Sequence, residues 1–272
     1  MSPQAPWPTA PAAPVRTFLW PASRAKAAIL LAHGFGEYSA RYHRLIGAVN
    51  EAGYSVYAYD HRGHGESLGP RAVVDVRELV RDHLSARTAL LGLQVPLFAF
   101  GHSMGGLITA ASYLQDPRGV KGVVLSSPAL LVGVNEPIWR KQVGRVLARV
   151  VPHLKLFELT SGGLSRLPEV EDAYRKDPQM NHGKIAVLTG VSTLQLSESI
   201  RDTVAKWTLP TLVLHGDQDK LADVEGSRHF AGAICSTDKT YREVAGGYHE
   251  LFNDTERDDT TRELLHWLDA RV

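Results

Sequence analysis

The run Gly101-His102-Ser103-Met104-Gly105, followed by Gly106, sets one serine between glycines in the pattern G-x-S-x-G. A serine so flanked suits a sharp turn from strand to helix, where the passing backbone leaves room only for glycine. Residues 96–100 (PLFAF) before it read as a strand, and residues 104–114 after it carry a helical pattern. Serine at its free pKa is a poor nucleophile, so it needs a base, and the base needs an acid to orient it. On such a turn the partners follow in the order Ser, Asp/Glu, His, beyond the ends of later strands. Residues 209–214 form such a strand and run into His215-Gly216-Asp217-Gln218-Asp219. Residues 240–244 form another and run into Gly246-Gly247-Tyr248-His249-Glu250. Of the twelve histidines, only His249 and His266 follow Asp219 far enough on. His266 falls inside a terminal helix beside Trp267, so His249 is the expected base. Spacing leaves Asp217 and Asp219 both open as the acid. A tetrahedral oxyanion needs two backbone N–H donors. Met104 offers one, and Phe35 in His33-Gly34-Phe35-Gly36-Glu37, after the strand at 27–32, offers the other. The chemistry is acyl transfer through a covalent ester on Ser103.

These residues need a scaffold of strands and helices, and the chain supplies one. Apolar runs at 27–32, 54–59, 96–100, 120–126 and 209–214 alternate with helical patterns near 41–52, 76–91, 104–114, 223–233 and 259–271. Continuous apolarity in short runs is expected of strands covered on both faces, and the alternation predicts a parallel sheet. Residues 129–197 break it. They hold no convincing strand and several helix-like pieces, and about 70 residues is too long for a plain connection. The expected division is a flexible tail at 1–14, a core of 15–128 with 198–272, and an inserted cap at 129–197. The tail holds five of the fifteen prolines.

Composition removes other classes. The 272 residues carry 30 Lys plus Arg against 29 Asp plus Glu, a net charge of +1, so no nucleic-acid partner is expected. One cysteine, Cys235, excludes an intrachain disulfide. No apolar run approaches the roughly 20 residues of a membrane span. The start lacks the basic and apolar stretches of a secretory signal, so a cytoplasmic protein is expected. Asp60-His61-Arg62-Gly63-His64 holds residue types that ligate metals, but Gly63 and Gly65 indicate a tight loop and no metal is expected. Nothing in the sequence speaks to oligomeric state.

Three stretches together resemble the monoacylglycerol lipase family of α/β-hydrolases. They are His33 to Glu37 with Arg41-Tyr42, Tyr59-Asp60-His61-Arg62-Gly63-His64-Gly65-Glu66-Ser67, and Gly101 to Gly106. The likeness continues through residues 169–177, 215–221 and 246–249. It implies an α/β-hydrolase fold, a mostly parallel central sheet with helices on both faces and an inserted helical cap. The family's G-x-x-D spacing falls on Asp219, so the resemblance selects Asp219 over Asp217. It further implies that Glu37 and Arg41 line a polar pocket for the glycerol head and that Tyr174 stands near the leaving-group exit. Phe252 departs from the pattern, since some members carry there a second histidine that touches glycerol. The implied activity is cleavage of a lipid ester, monoacylglycerol to fatty acid and glycerol, without a cofactor. A broad carboxylesterase or lysophospholipase is the alternative. An aminopeptidase, or a relative that only binds a ligand, stands further off. Residues 138–157 carry five basic and no acidic residues with an apolar helical face, which suits a cap helix packed on its own domain with Arg and Lys in water, or transient contact with a lipid surface.

Overall fold

The computed structural model describes residue 7 and residues 10–133, 135–157 and 162–272. In chain order they form β1 (Thr17–Trp20), β2 (Ala27–Ala32), α1 (His43–Glu51), β3 (Tyr54–Tyr59), α2 (Val76–Leu90) and β4 (Leu97–His102). Next come α3 (Met104–Gln115), β5 (Gly122–Ser126), α4 (Ile138–Val150), β6 (Lys155–Phe157), α5 (Pro168–Lys176) and β7 (Ile185–Ala186). The chain closes with α6 (Val187–Thr203), β8 (Thr211–Gly216), α7 (Val224–Ala233), β9 (Lys239–Val244) and α8 (Arg257–Asp269). Seven strands make one sheet in the order β1-β3-β2-β4-β5-β8-β9. Only β1 runs antiparallel, against β3. The remaining neighbours are parallel.

Helices on both faces explain the continuous apolar strands. On one face, Leu45 and Ile46 of α1 and Leu264 and Trp267 of α8 pack on Ile29, Val56, Phe98 and Leu212. On the other, Leu79 of α2, Leu107 of α3, Ile200 of α6 and Phe230 of α7 pack on Ala99, Val123 and Val213. The carboxyl ends of β2, β4, β8 and β9 therefore come to one edge, where open α/β sheets place their ligands.

The stretch between β5 and β8 contains α4, α5 and α6, together with a small antiparallel sheet of β6 and β7. The expectation of no strand here is corrected. These strands have three and two residues and β6 is exposed, so they carry no apolar run to read. The boundary expected at 197 falls inside α6, whose Leu196 and Ile200 are both buried in the core. Thr189 and Ser192 of the same helix accept the N–H groups of Val74 and Val76, at 2.9 and 3.0 Å, where α2 begins.

The tail also differs from expectation at Trp7; residues 1–6 and 8–9 lie outside the described residues. Trp7 is buried, donates Nε1–H to the carbonyl of Phe18 at 2.8 Å and meets the Tyr57 ring edge-on at 5.6 Å. A lone tryptophan among prolines gives no periodic signal, yet its indole buries more apolar area than most side chains. Trp7→Ala is expected to cost about 3 kcal/mol of stability, read as a lower urea midpoint at unchanged m.

Candidate active site

β4 delivers Ser103 and α3 carries the chain away from it. Ser103 holds φ 53° and ψ −120°, a left-handed backbone rare for a residue with a side chain. Its N–H donates to the carbonyl of Ser126 on β5 at 3.0 Å. A Cβ on Gly105 would come within 2.2 Å of the Ala32 carbonyl oxygen, and one on Gly101 within 2.6 Å of the Gly105 carbonyl oxygen. The motif's glycines are thus set by the closeness of β2 and the first turn of α3. Met104 opens that helix, so its N–H lacks an intrahelical partner.

Asp219 and His249 meet across the ends of β8 and β9. His249 Nδ1 lies 2.6 Å from Asp219 Oδ2, and both side chains are buried. Asp217 turns elsewhere and accepts the N–H of Gly246 at 2.7 Å, bracing the histidine loop. Geometry thereby separates two aspartates that spacing could not. Burial alone would raise the Asp219 carboxyl, but the charge and hydrogen bond of His249, with His215 and Ala222, hold it well below the usual carboxylate range. Burial also lowers His249, yet Asp219 foremost, then Glu250 and Glu37, lift it above its ordinary 6.5. His102 packs against the His249 ring at 4.7 Å, and burial pushes it well below its ordinary value.

The loop after β2 is held on both sides. Gly34 N–H donates to Glu37 Oε1 at 2.5 Å, while His33 Nδ1 lies 2.8 Å from the Gly34 carbonyl oxygen. Fixing that carbonyl fixes the plane of the peptide whose other end is the Phe35 N–H. Glu37 Oε1 also accepts the Tyr42 hydroxyl at 2.6 Å. Arg41 Nε faces Glu37 Oε2 at 3.5 Å, and its guanidinium spans both oxygens of Glu250 at 2.7 and 2.8 Å. Two buried carboxylates therefore share one arginine. Burial and then the Glu250 charge push Glu37 up to about 7, against Arg41, Tyr42 and the Gly34 N–H. Glu250 and Tyr42 were missed by sequence reasoning. Adjacency to His249 was the only signal for Glu250, and its partner Arg41 lies 209 residues away.

The inserted stretch meets both loops. Asn181 N–H donates to the Gly36 carbonyl at 2.7 Å, and the Tyr38 hydroxyl donates to Asp177 at 2.6 Å. Tyr174 donates to the Asn181 carbonyl at 3.2 Å and lies under Arg41, 5.8 Å from its ring centre. On the other side, Glu250 N–H donates to the Leu164 carbonyl at 2.7 Å. Buried Asp254 accepts from Arg166 N–H at 2.8 Å, Arg166 Nε at 3.0 Å and Tyr248 N–H at 2.9 Å. Phe252 is buried against Phe100, ring centres 5.4 Å apart. His61 N–H donates to His33 Nε2 at 2.9 Å, so these residues of metal-ligating type brace the loop from below. Among the described residues, no group of three or more His, Cys, Asp or Glu is arranged to hold a metal ion.

A cavity of about 100 Å³ joins these parts, lined among others by Phe35, Glu37, Ser103, Tyr174, His249 and Glu250. It brings nucleophile, base and loop candidates to one space. His249 should titrate above 6.5 when followed by NMR, because the buried Asp219 charge favours the imidazolium. Asp219→Asn should bring that midpoint down by about a unit or more, whereas Asp217→Asn should leave it within a few tenths.

The chain has relatives among known proteins. Residues 23–256 match the family model described as serine aminopeptidase, S33. A monoacylglycerol lipase of Mycolicibacterium smegmatis is 36% identical over 88% of this chain and 87% of its own length. The human monoglyceride lipase is 34% identical over 93% of this chain and 85% of its own. The crystal structure of Paleococcus ferrophilus monoacylglycerol lipase superposes with a TM-score of 0.86 at 33% identity, covering 95% of this chain and 99% of that one. The chain belongs to the monoacylglycerol lipase family of α/β-hydrolases, within the wider group that the serine aminopeptidase S33 model describes.

Proposed function

We propose that this chain hydrolyses monoacylglycerol to a fatty acid and glycerol, with Ser103 as nucleophile, His249 as general base and Asp219 as the orienting acid. The observation that carries the reading is the 2.6 Å contact of His249 Nδ1 with Asp219 Oδ2, beside a cavity that Ser103 lines. An ionised carboxylate only accepts, so the hydrogen sits on Nδ1 and leaves Nε2 to take the serine proton. Ser103 Oγ attacks the ester carbonyl carbon, and the N–H groups of Phe35 and Met104 receive the oxyanion. The imidazolium then protonates the departing glycerol oxygen, leaving an acyl ester on Ser103. Water gives its proton to His249 as it attacks that ester, and collapse returns the proton to Ser103 and frees the acid.

Glu37 and Arg41 form the polar end of the cavity in this reading, with Tyr174 on the side where glycerol leaves. An aminopeptidase would need an unpaired carboxylate for the free amine of its substrate, but Arg41 already engages both Glu37 and Glu250. A turnover panel of monoacylglycerol, lysophospholipid and aminoacyl amide tests the choice, and faster amide than monoacylglycerol turnover would overturn it. Cys235 is exposed and free, which suits a reducing compartment, and we place the protein in the cytoplasm.

The inserted stretch ahead of α6, residues 129–186, acts as the cap. The cavity is smaller than the roughly 300 Å³ of a typical ligand pocket, so a long acyl chain requires a wall to move. The wall we assign is the part of the inserted stretch that lines the cavity, Gly162, Leu164, Tyr174 and Met180, while 138–157 is the part we place transiently against lipid. Trp139 is 61% and Val150 72% exposed on α4, and Val143 and Val146 are exposed between them. Arg140, Arg145 and Arg149 accompany this apolar face, a pattern that suits an anionic lipid surface. Among the described residues, no helix is long and apolar enough to cross a membrane.

Two expected outcomes follow from these assignments. Glu37→Gln keeps an acceptor for Gly34 but turns an amide towards Arg41. It should cost about 1 to 3 kcal/mol in kcat/KM on monoacylglycerol and little on the methyl ester of the same acid, which has no hydroxyls to read. Equal losses would make Glu37 a loop support only. Replacing Trp139 and Val143 by Ser should weaken co-sedimentation with anionic vesicles. It should also lower long-chain monoacylglycerol turnover more than that of a soluble short-chain ester. Equal effects on both substrates would leave α4 a purely structural helix.

A further inference from the structure

We propose that His215 is a positioning residue, a second histidine on the Asp219 carboxylate that holds it in register with His249. The inference rests on the triad reading above. His215 lies near the end of β8 and is fully buried, with no access to the cavity that Ser103 lines. Its Nδ1 is 2.7 Å from the hydroxyl of Ser227 on α7. Its Nε2 is 3.1 Å from the carbonyl oxygen of Ala222 and 3.1 Å from Asp219 Oδ2. Both of the latter are acceptors, so Nε2 carries the hydrogen and Nδ1 accepts from Ser227. The remaining bonds of the carboxylate are also defined. Oδ1 accepts the N–H groups of Leu221 and Ala222 at 2.8 and 3.0 Å. Oδ2 accepts from His249 at 2.6 Å and from His215. A carboxylate offers about four such sites, and all four are taken.

Two consequences separate this arrangement from simple packing. Removing the His215 donor lets Oδ2 swing about its Oδ1 anchor, so the His249 ring loses its fixed direction. It also leaves more charge on Oδ2, and a more basic carboxylate favours the protonated form of His249. The acid limb of kcat/KM, below which His249 holds its proton and cannot act as base, should therefore move to higher pH. His249 also faces Glu37, Glu250 and His102, with Arg41 across from them. Glu243 on β9 is the register partner of His215 and pairs with Arg228. All of these stay in place in the variants below.

The test uses the whole chain with monoacylglycerol and a soluble short-chain ester. His215→Leu should lower kcat about tenfold or more on both substrates, the scale of a lost hydrogen bond to a charge, at unchanged KM. Its acid limb should move up, and the downfield Nδ1–H resonance of His249 should shift or broaden. His215→Gln, whose amide N–H reaches the same place, should recover kcat to within about threefold of the parent. Ser227→Ala, a mild change that frees the ring, should move the limb in the same direction by a smaller amount. A folded His215→Leu with unchanged limb and resonance overturns the proposal, as does His215→Gln impaired equally to His215→Leu. If His215→Leu does not fold, Ser227→Ala decides, and an unmoved limb overturns it. Asp219→Asn separates the two levels of argument. If it keeps most of the parent kcat, the triad reading fails and His215 has nothing to position. If it is inactive while the His215 and Ser227 variants behave as the parent, only the present proposal fails.

Discussion

Ser103 holds its backbone at φ 53°, in a region that costs on the order of 1–3 kcal/mol for a residue with a side chain. Such a conformation persists only where its surroundings over-determine it, and here they do. Its N–H and carbonyl are both engaged, by Ser126 and by Ala129 and Leu107. Gly105 lies against the carbonyls of Ala32 and His33, the last residue of β2 and the first of the loop beyond it. The same contact that permits the strained turn therefore sets the distance between the serine and the loop that bears Phe35. In the proposed mechanism, nucleophile and oxyanion donors are thus one packing event. The central order β2-β4-β5 in the sheet follows from it, since neither neighbour of β4 could be exchanged without releasing the turn.

Charge is handled around this rigid point by pairing in depth. Asp219 is buried with two histidines and two backbone N–H groups, and Glu37 and Glu250 are buried with one arginine. Each carboxylate would be costly alone, because desolvating an unpaired charge outweighs most single interactions in a fold of this size. Their bonds tie together segments that share no secondary structure. Arg41 comes from the turn before α1, Glu250 from the loop after β9 and His215 from β8. The field at His249 is accordingly negative from several sides, which suits a group that becomes cationic in the transition state.

Much of this was legible in the sequence, for identifiable reasons. β2, β3, β4, β5 and β8 are buried on both faces, so their sequences are unbroken apolar runs. Their positions, and the helices between them, could be read to within a few residues. Ser103 and His249 stood out because strand, glycine and turn surround each of them locally. Asp217 and Asp219 could not be told apart by spacing, because both occupy one turn; the family resemblance selected Asp219, and the fold sends Asp217 to Gly246. Glu250 and Asp254 left little local trace, since their partners Arg41 and Arg166 lie 209 and 88 residues away, and His215 reads locally as one more residue of a buried strand. Trp7 escaped for the opposite reason, being a single anchoring contact inside a stretch composed like a linker. The two short strands at 155–157 and 185–186 are too brief and too exposed to impose a pattern.

The double attachment of the inserted stretch also bears on the order in which the molecule is made. Ser165 and Arg166 find Asp254 only 89 and 88 residues later, and Arg41 finds Glu250 209 residues later. At about 5–20 residues per second of synthesis, Arg41 waits roughly 10 to 40 s for its counter-charge. Through that interval the segments of the serine turn, β2, β4, β5 and α3, are already made, while the loop with His249 has yet to leave the ribosome. The nucleophile is thus built early, without its base. The acidic loop arrives late, with only α8 after it, and it fastens the inserted stretch through Glu250 and Asp254. In the proposed mechanism a growing chain therefore carries its serine without a base until residues 246–250 are made.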